Sequence, residues 1–206
     1  MVAAKEDVYR ALYLHIFKTG KGRARNCPRW KGVPIIKMPS DMILYAQAIQ
    51  DKKPDFIVET GTKFGGSALF FADMMELIGH GQVVTVDIRP AGTPYHPRIK
   101  YITAPSTSTE AIQTVRDIVG TGSCMVVLDS LHTRRHVKRE LTKYGGFVTK
   151  GQYMVVEDCY GRTWVNYGPG EALAWFLPMC RGKFETTNVD DQFMVGITSG
   201  GWLIRQ

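Results

Sequence analysis

The stretch DFIVETGTKFGGSALFFA (55–72) decides the fold. DFIVET (55–60) is a short, β-branched apolar run that ends in polar residues, the pattern of a strand buried on both faces. A turn carrying Gly61, Gly65 and Gly66 follows, and then a helical stretch from Ser67 to about Ile78. The alternation continues with QVVTVDI (82–88), a strand at IKYIT (99–103) and a helix over about 108–119. CMVVLD (124–129), a helix over about 133–144 and QYMVVED (152–158) come next. Short apolar strands alternating with helices predict an α/β, doubly wound, mostly parallel sheet. Beyond Gly170 a helix (EALAWFLPM) leads to strands at about 183–187, 193–198 and 202–204, whose short spacings predict an antiparallel edge. Upstream, residues 4–18 have near-helical apolar spacing. Residues 18–37 hold seven basic residues (Lys18, Lys21, Arg23, Arg25, Arg29, Lys31, Lys37) and no acid, broken by Gly and Pro into an extended arm. Ser40 or Asp41 is placed to cap a helix running to about Gln50.

The 206 residues, 44% hydrophobic and 22% charged, suffice for one well-buried domain. No apolar stretch approaches the ~18–20 residues of a membrane span. The start MVAAKEDVYR carries acids and reads as no signal peptide, so a cytoplasmic protein is expected. Cys27, Cys124, Cys159 and Cys180 are widely spaced with no C-x-x-C pair, which predicts thiols rather than a disulfide or zinc framework. The net charge of +7 suggests nucleic acid at first sight. Residues 1–56 hold 11 Lys/Arg against 5 Asp/Glu, however, and residues 57–206 hold 15 against 14. The excess is local to the arm, where packing against a second copy or covering an anionic acceptor is expected ahead of nucleic-acid binding.

The glycine turn lies where an open α/β sheet binds nucleotides, but it is neither G-x-G-x-x-G nor a P-loop. That argues against a dehydrogenase and an NTPase. Glu59 places a carboxylate at the turn, unsuited to pyrophosphate and suited to an ammonium. Asp87 ends the second strand of the alternation, positioned for the two hydroxyls of a ribose. Together they point to S-adenosylmethionine; a glycine turn that merely packs helix on sheet, with Asp87 capping a loop, is the plain alternative.

Asp129 ends one strand and Glu157-Asp158 the next, so three carboxylates converge at one edge and call for a neutralising cation. Oxygen ligands favour a hard ion such as Mg²⁺. His132, three residues past Asp129, is placed as a general base. Singly, Asp129 is equally a helix cap, His132 a surface residue and Glu157-Asp158 a solvated loop entrance. Trp164, Tyr167, Gly168 and Gly170 form a candidate lid, or a loop packed on the sheet edge.

These residues resemble the cephalosporin hydroxylase family, whose relatives include rhamnosyl and macrolide-sugar O-methyltransferases. The matching stretches are WKGVP (30–34), MPSD (38–41), PDFIVETGTKFGGSALFFA (54–72), LIGHGQVVTVDI (77–88) and HPRI (96–99). VVLDSLH (126–132), YMVVED (153–158), GPGEA (168–172) and GGWLIR (200–205) complete them in order. The resemblance implies a Rossmann-like class I methyltransferase fold with a seven-stranded sheet. It divides the chain into an amino-terminal helix and arm (1–39) and an S-adenosylmethionine-dependent methyltransferase domain (40–206). Glu59, Gly61, Ser67 and Asp87 match cofactor-site positions, with Thr62, Gly66, Ser106, Ser108 and Asp129 expected beside them. Asp129, Glu157 and Asp158 match the family's Mg²⁺ ligands and His132 its base. Leu131 stands where an acid is expected, and CYGRTW (159–164) departs from the family's Asn-containing loop. No iron set of two His and one carboxylate can be assembled, so nothing resembles an oxygenase.

The expected reaction is Mg²⁺-assisted O-methylation of a small polyhydroxylated acceptor, a sugar or glycosylated natural product, by a homo-oligomer with no membrane partner. The rival expectation is a non-catalytic S-adenosylmethionine-binding scaffold that assists an enzyme partner.

Overall fold

In the computed structural model, which describes residues 8, 11–12, 14–18, 27–159, 168–193 and 196–206, a short hairpin precedes the main sheet. Strands β1 (Arg29–Trp30) and β2 (Val33–Pro34) pair antiparallel, and helix α1 (Pro39–Lys52) follows. Then come β3 (Phe56–Thr60), α2 (Gly66–Leu77), β4 (Gln82–Asp87), β5 (Ile99–Thr103), α3 (Thr109–Val119) and β6 (Cys124–Leu128). Helix α4 (Arg134–Tyr144), β7 (Tyr153–Val156), α5 (Pro169–Met179), β8 (Phe184–Thr186) and β9 (Trp202–Arg205) complete the chain. The main sheet has seven strands in the order β5-β4-β3-β6-β7-β9-β8. The first five are parallel, and β9 runs antiparallel to both β7 and β8.

Period-2 alternation divides the apolar residues between two layers. Val58, Val84, Val126 and Met154 form one row across four strands and pack against residues of α3, α4 and α5. Ile57, Val83, Met125, Val127 and Val155 face the other way, onto α1 and α2. Each such side chain taken wholly out of water contributes about 1.5–3 kcal/mol. Both sheet faces being covered explains why these strands read as continuous apolar runs.

Several expectations change. The arm is not simply extended: its described part, from residue 27, forms the β1–β2 hairpin and ends with Lys37 wholly buried. Trp30 and Lys31 bond the Asp73 carboxylate of α2 at 2.5 and 2.8 Å, fastening the hairpin to that helix. Neither Ser40 nor Asp41 caps α1; Met38 holds the cap position, and Asp41 instead accepts from the Ile197 amide and the Thr198 hydroxyl, both at 2.8 Å. Of the strand expected near 193–198, residues 194–195 lie outside the described residues, and Ile197 and Thr198 are in turns; a 3₁₀ turn at Val189–Gln192 comes before them. Gly170 lies in the first turn of α5. Of the leading helix, Val8, Ala11 and Leu12 are helical and Leu14–Lys18 form a π-helical turn. Lys21, Arg23, Arg25, Trp164 and Tyr167 lie outside the described residues. No disulfide joins the cysteines, and among the described residues no helix is long and apolar enough to cross a membrane.

Candidate active site

Strand order reverses between β3 and β6, which is where an open α/β sheet leaves a crevice at its carboxyl edge. Register then decides which residues meet there. Thr60 pairs with both Val86 and Leu128, and Leu128 pairs with Val156. The next residue on each strand is Gly61, Asp87, Asp129 and Glu157. Backbone bonds Gly61 N–H to Val86 O (2.8 Å), Asp129 N–H to Thr60 O (3.0 Å) and Glu157 N–H to Leu128 O (3.0 Å) lock that row. A cavity of about 780 Å³ opens above it, lined by Gly61, Thr62, Gly66, Ser67, Asp87, Ser106, Asp129, His132 and Asp158 among others.

The turn is shaped by close approach. Gly61 sits at φ 94°, and a β-carbon there would lie 1.9 Å from the Asp129 carbonyl oxygen. A β-carbon on Gly66 would lie 2.1 Å from the Pro34 carbonyl oxygen, so this glycine lets the hairpin cover the start of α2. Asp87 stands at the cavity, its Oδ2 accepting from the Lys63 amide and Oδ1 from the Arg89 amide, both at 2.8 Å. Each oxygen keeps a lone pair for a further donor.

Glu59 does not present its carboxylate to a ligand over the turn. It is wholly buried on the face shared with Ile57, accepting from Ser67 Oγ at 2.5 Å and Thr85 Oγ1 at 2.7 Å. Burial pushes it up to about 7, against the opposing pull of Lys37 and the two hydroxyls. It therefore braces α2 from beneath, and Thr62 joins the brace through Thr85 (2.7 Å). Ser108 caps α3 by accepting from the Ala111 amide (3.1 Å) and does not line the cavity. Ser106 does line it, within a network the sequence did not reveal: its hydroxyl donates to Glu140 (2.6 Å) and meets His136 Nε2 (3.1 Å). Ser130 also donates to Glu140 (2.7 Å).

At the other end the carboxylates are brought together differently from the expected trio. Asp129, His132 and Asp158 have ligand atoms within 4.8 Å of one another. His132 Nδ1 lies 2.8 Å from Asp158 and Nε2 3.2 Å from Asp129. Asp158 reaches round because its backbone is left-handed (φ 56°). Burial opposes the charge on His132, but its bonds to Asp129 and Asp158 prevail and push it up to about 11. Glu157, completely buried, turns instead to Lys37 Nζ (2.8 Å) and the Tyr45 hydroxyl. Lys37 Nζ also bonds Asp129 Oδ2 at 2.8 Å.

Alternation explains this arrangement. Glu59, Asp129 and Glu157 continue the face of Ile57, Val127 and Val155, which α1 and α2 cover. Lys37 precedes α1 immediately and supplies the countercharge there. Burial would lower its pKa, yet Asp129, Glu157 and Glu59 raise it overall. Burial raises Glu157 while Lys37 opposes that rise, and Lys37 with His132 holds Asp129 low despite its burial. Lys37 and Tyr45 are the residues of this cluster that the sequence pattern does not single out. The apolar setting of Lys37, I-I-K-M-P (35–39), is the signal that sets it apart from the solvated arm.

A second cluster, Asp73 and Glu76 of α2 with His96 of the β4–β5 connection, lies away from this crevice. Asp73 there already carries Trp30 and Lys31.

Comparison with known proteins agrees with this geometry. The family described as rhamnosyl O-methyltransferase/CmcI matches residues 24–206. The match starts inside the expected arm, so the hairpin and Lys37 are part of the family unit. A rhamnosyl O-methyltransferase of Mycobacterium leprae (strain TN) is 36% identical over 195 residues, covering 88% of this chain and 84% of that protein. Among solved structures, CmcI described with Mg and SAM aligns with a TM-score of 0.70 at 17% identity, over 92% of this chain and 82% of that one. MycE, a methyltransferase from the mycinamycin pathway solved with Mg and SAH, aligns at 0.54 and 20% identity, over 67% of this chain and 42% of its own. Both likenesses show the class I methyltransferase fold. Matched along nearly its whole length, the chain belongs to the rhamnosyl O-methyltransferase/CmcI family.

Proposed function

We propose that this chain is an S-adenosylmethionine-dependent, Mg²⁺-assisted O-methyltransferase acting on a hydroxyl of a small polyhydroxylated acceptor, a sugar or glycosylated natural product. The observation that carries the reading is the single crevice with Asp87 and the glycine turn at one end and Asp129, His132 and Asp158 at the other. The relatives' names, rhamnosyl O-methyltransferase above all, support the reaction and acceptor class. CmcI with Mg and SAM, and MycE with Mg and SAH, support the pair of cofactors.

The residues suit both groups. Asp87 offers lone pairs to the ribose hydroxyls, and Gly61 and Gly66 permit close backbone approach at the turn. Ser106 stands on the wall expected for the adenine, with Ser108 capping the helix behind it. Asp129, Glu157 and Asp158 are the proposed ligands of the ion. Hard oxygen donors suit Mg²⁺, and the buried Glu157 Oε2 meets no hydrogen-bond donor among the described residues. When bound, the sulfonium supplies an electrophilic methyl group and Mg²⁺ supplies a Lewis acid for the acceptor hydroxyl.

The chain's own part is positioning and proton transfer. Holding donor and acceptor in line supplies on the order of several kcal/mol of the barrier reduction. His132 takes the hydroxyl proton as general base. Both of its ring nitrogens are engaged by carboxylates, so it has to release one, and its proton, before it can do so. Asp158 through Nδ1 then fixes the ring with Nε2 facing the acceptor.

Two measurements test the proposal. Wild-type protein binds S-adenosylmethionine in calorimetry and Asp87→Ala weakens that binding by tenfold or more in rough terms; equal affinity removes the assigned cofactor site. A screen of sugar, macrolide and phenolic acceptors, read by mass, shows methyl transfer to a hydroxylated sugar; transfer only to phenolic acceptors overturns the acceptor class.

A further inference from the structure

We infer that the Lys37 ammonium is a tethered competitor for the divalent ion, occupying the position between Asp129 and Glu157 until the ion displaces it. The inference rests on the proposed metal reading of this site and deepens it.

Lys37 Nζ lies 2.8 Å from both Asp129 Oδ2 and Glu157 Oε1, and its side chain is 2% exposed. An ammonium so placed bridges two of the three carboxylates proposed to hold the ion. Its backbone is not free to withdraw. The hairpin before it is seated on Gly66, where no β-carbon fits under Pro34, and is bonded to Asp73. The helix after it is tied to the carboxyl-terminal tail by Asp41. Only the side chain is left to move. Tyr45 completes the arrangement by donating to the same Glu157 oxygen that Lys37 holds.

Carboxylates brought together at one edge repel one another unless a cation lies among them. With Lys37 the pocket keeps its shape when no ion is bound, and the ion enters against an existing positive charge. Lys37 is thus a positioning residue for the carboxylates and sets the ion's affinity.

The test is Mn²⁺ binding followed by the electron paramagnetic resonance of the free ion, with neither S-adenosylmethionine nor acceptor present. Wild type, Lys37→Met, Lys37→Gln and Lys37→Met/Glu157→Gln are compared, each checked by thermal unfolding. Lys37→Gln keeps a hydrogen-bond donor and serves where Lys37→Met does not fold. Removing a like charge a few ångströms from the ion tightens Mn²⁺ binding on the order of tenfold or more. The gain disappears in the double variant, because the carboxylate that Lys37 releases is Glu157. Unchanged or weaker binding in both single variants, with Mn²⁺ bound by wild type, overturns the competition and leaves the metal reading standing. A gain that persists in the double variant overturns the role given to Glu157. Mn²⁺ bound by no form of the protein overturns the metal reading and this inference together.

Discussion

Alanine at position 61 would place a methyl carbon 1.9 Å from the carbonyl oxygen of Asp129, on a backbone held at φ 94°. Neither problem can be relieved locally, because the Gly61 amide is bonded to Val86 O and the Asp129 amide to Thr60 O. Strain from the left-handed backbone costs about 1–3 kcal/mol. Forcing the methyl group against a backbone that cannot give adds roughly 1–3 kcal/mol. Gly61→Ala should therefore lose about 2–6 kcal/mol, and at ~2–4 °C per kcal/mol for a chain of this size the melting temperature falls by roughly 4–24 °C. The obstructing oxygen belongs to Asp129, so binding of S-adenosylmethionine and of Mn²⁺ should weaken in the same variant. Urea unfolding and calorimetry measure the two effects. Gly146→Ala is the control: no atom lies within 4 Å of its added carbon, and stability should stay within about 0.5 kcal/mol of wild type. If Gly61→Ala also stays within about 0.5 kcal/mol of wild type and binds the cofactor normally, the close-approach argument is wrong.

The remaining predictions concern the two ends of the crevice. Asp87→Ala keeps the fold and weakens S-adenosylmethionine, while Asp87→Asn, which retains one acceptor oxygen, loses less; the ranking is read by calorimetry. His132→Ala lowers single-turnover methyl transfer by roughly 10²–10⁴-fold and leaves cofactor affinity in place; undiminished turnover removes the base assignment. Because the folded pKa of His132 is raised from 6.5 to about 11, its contribution to stability is complete below pH 6.5 and is lost as pH rises toward 11. The stability gap between wild type and His132→Gln, measured by urea unfolding in pH steps, should shrink across that window, and a constant or widening gap contradicts the ion-pair geometry.

Much of the framework could be read from residues alone because both sheet faces are covered. Runs such as CMVVL and YMVV are apolar at every position, and the glycine turn from Gly61 separates β3 from α2. Within the edge strand expected near 193–198, Ile197 and Thr198 are in turns held by the distant carboxylate of Asp41, a tertiary bond that local pattern cannot display. The candidate site divides in the same way. Strand ends placed Asp87, Asp129, Glu157 and Asp158 at one edge, since register follows from consecutive parallel strands. Which side chain turns to which partner did not follow. Glu59 went under the turn, and Glu157 turned to Lys37 and Tyr45, because alternation places both on the face that α1 and α2 cover. Lys37 was masked by its neighbours, counted as one more charge in a basic arm. Lys37, at the end of that arm, supplies a countercharge to buried acids.

Following a labelled methyl group shows directly whether the chain transfers it with the help of a metal. Purified protein is incubated with methyl-deuterated S-adenosylmethionine and glycosylated acceptors, with Mg²⁺, with chelator, and with chelator followed by excess Mg²⁺. Label should appear on an acceptor hydroxyl in the first and third mixtures and not in the second. Label transferred equally in all three contradicts the metal assignment, and a folded protein that neither binds the donor nor labels any acceptor contradicts the methyltransferase reading itself.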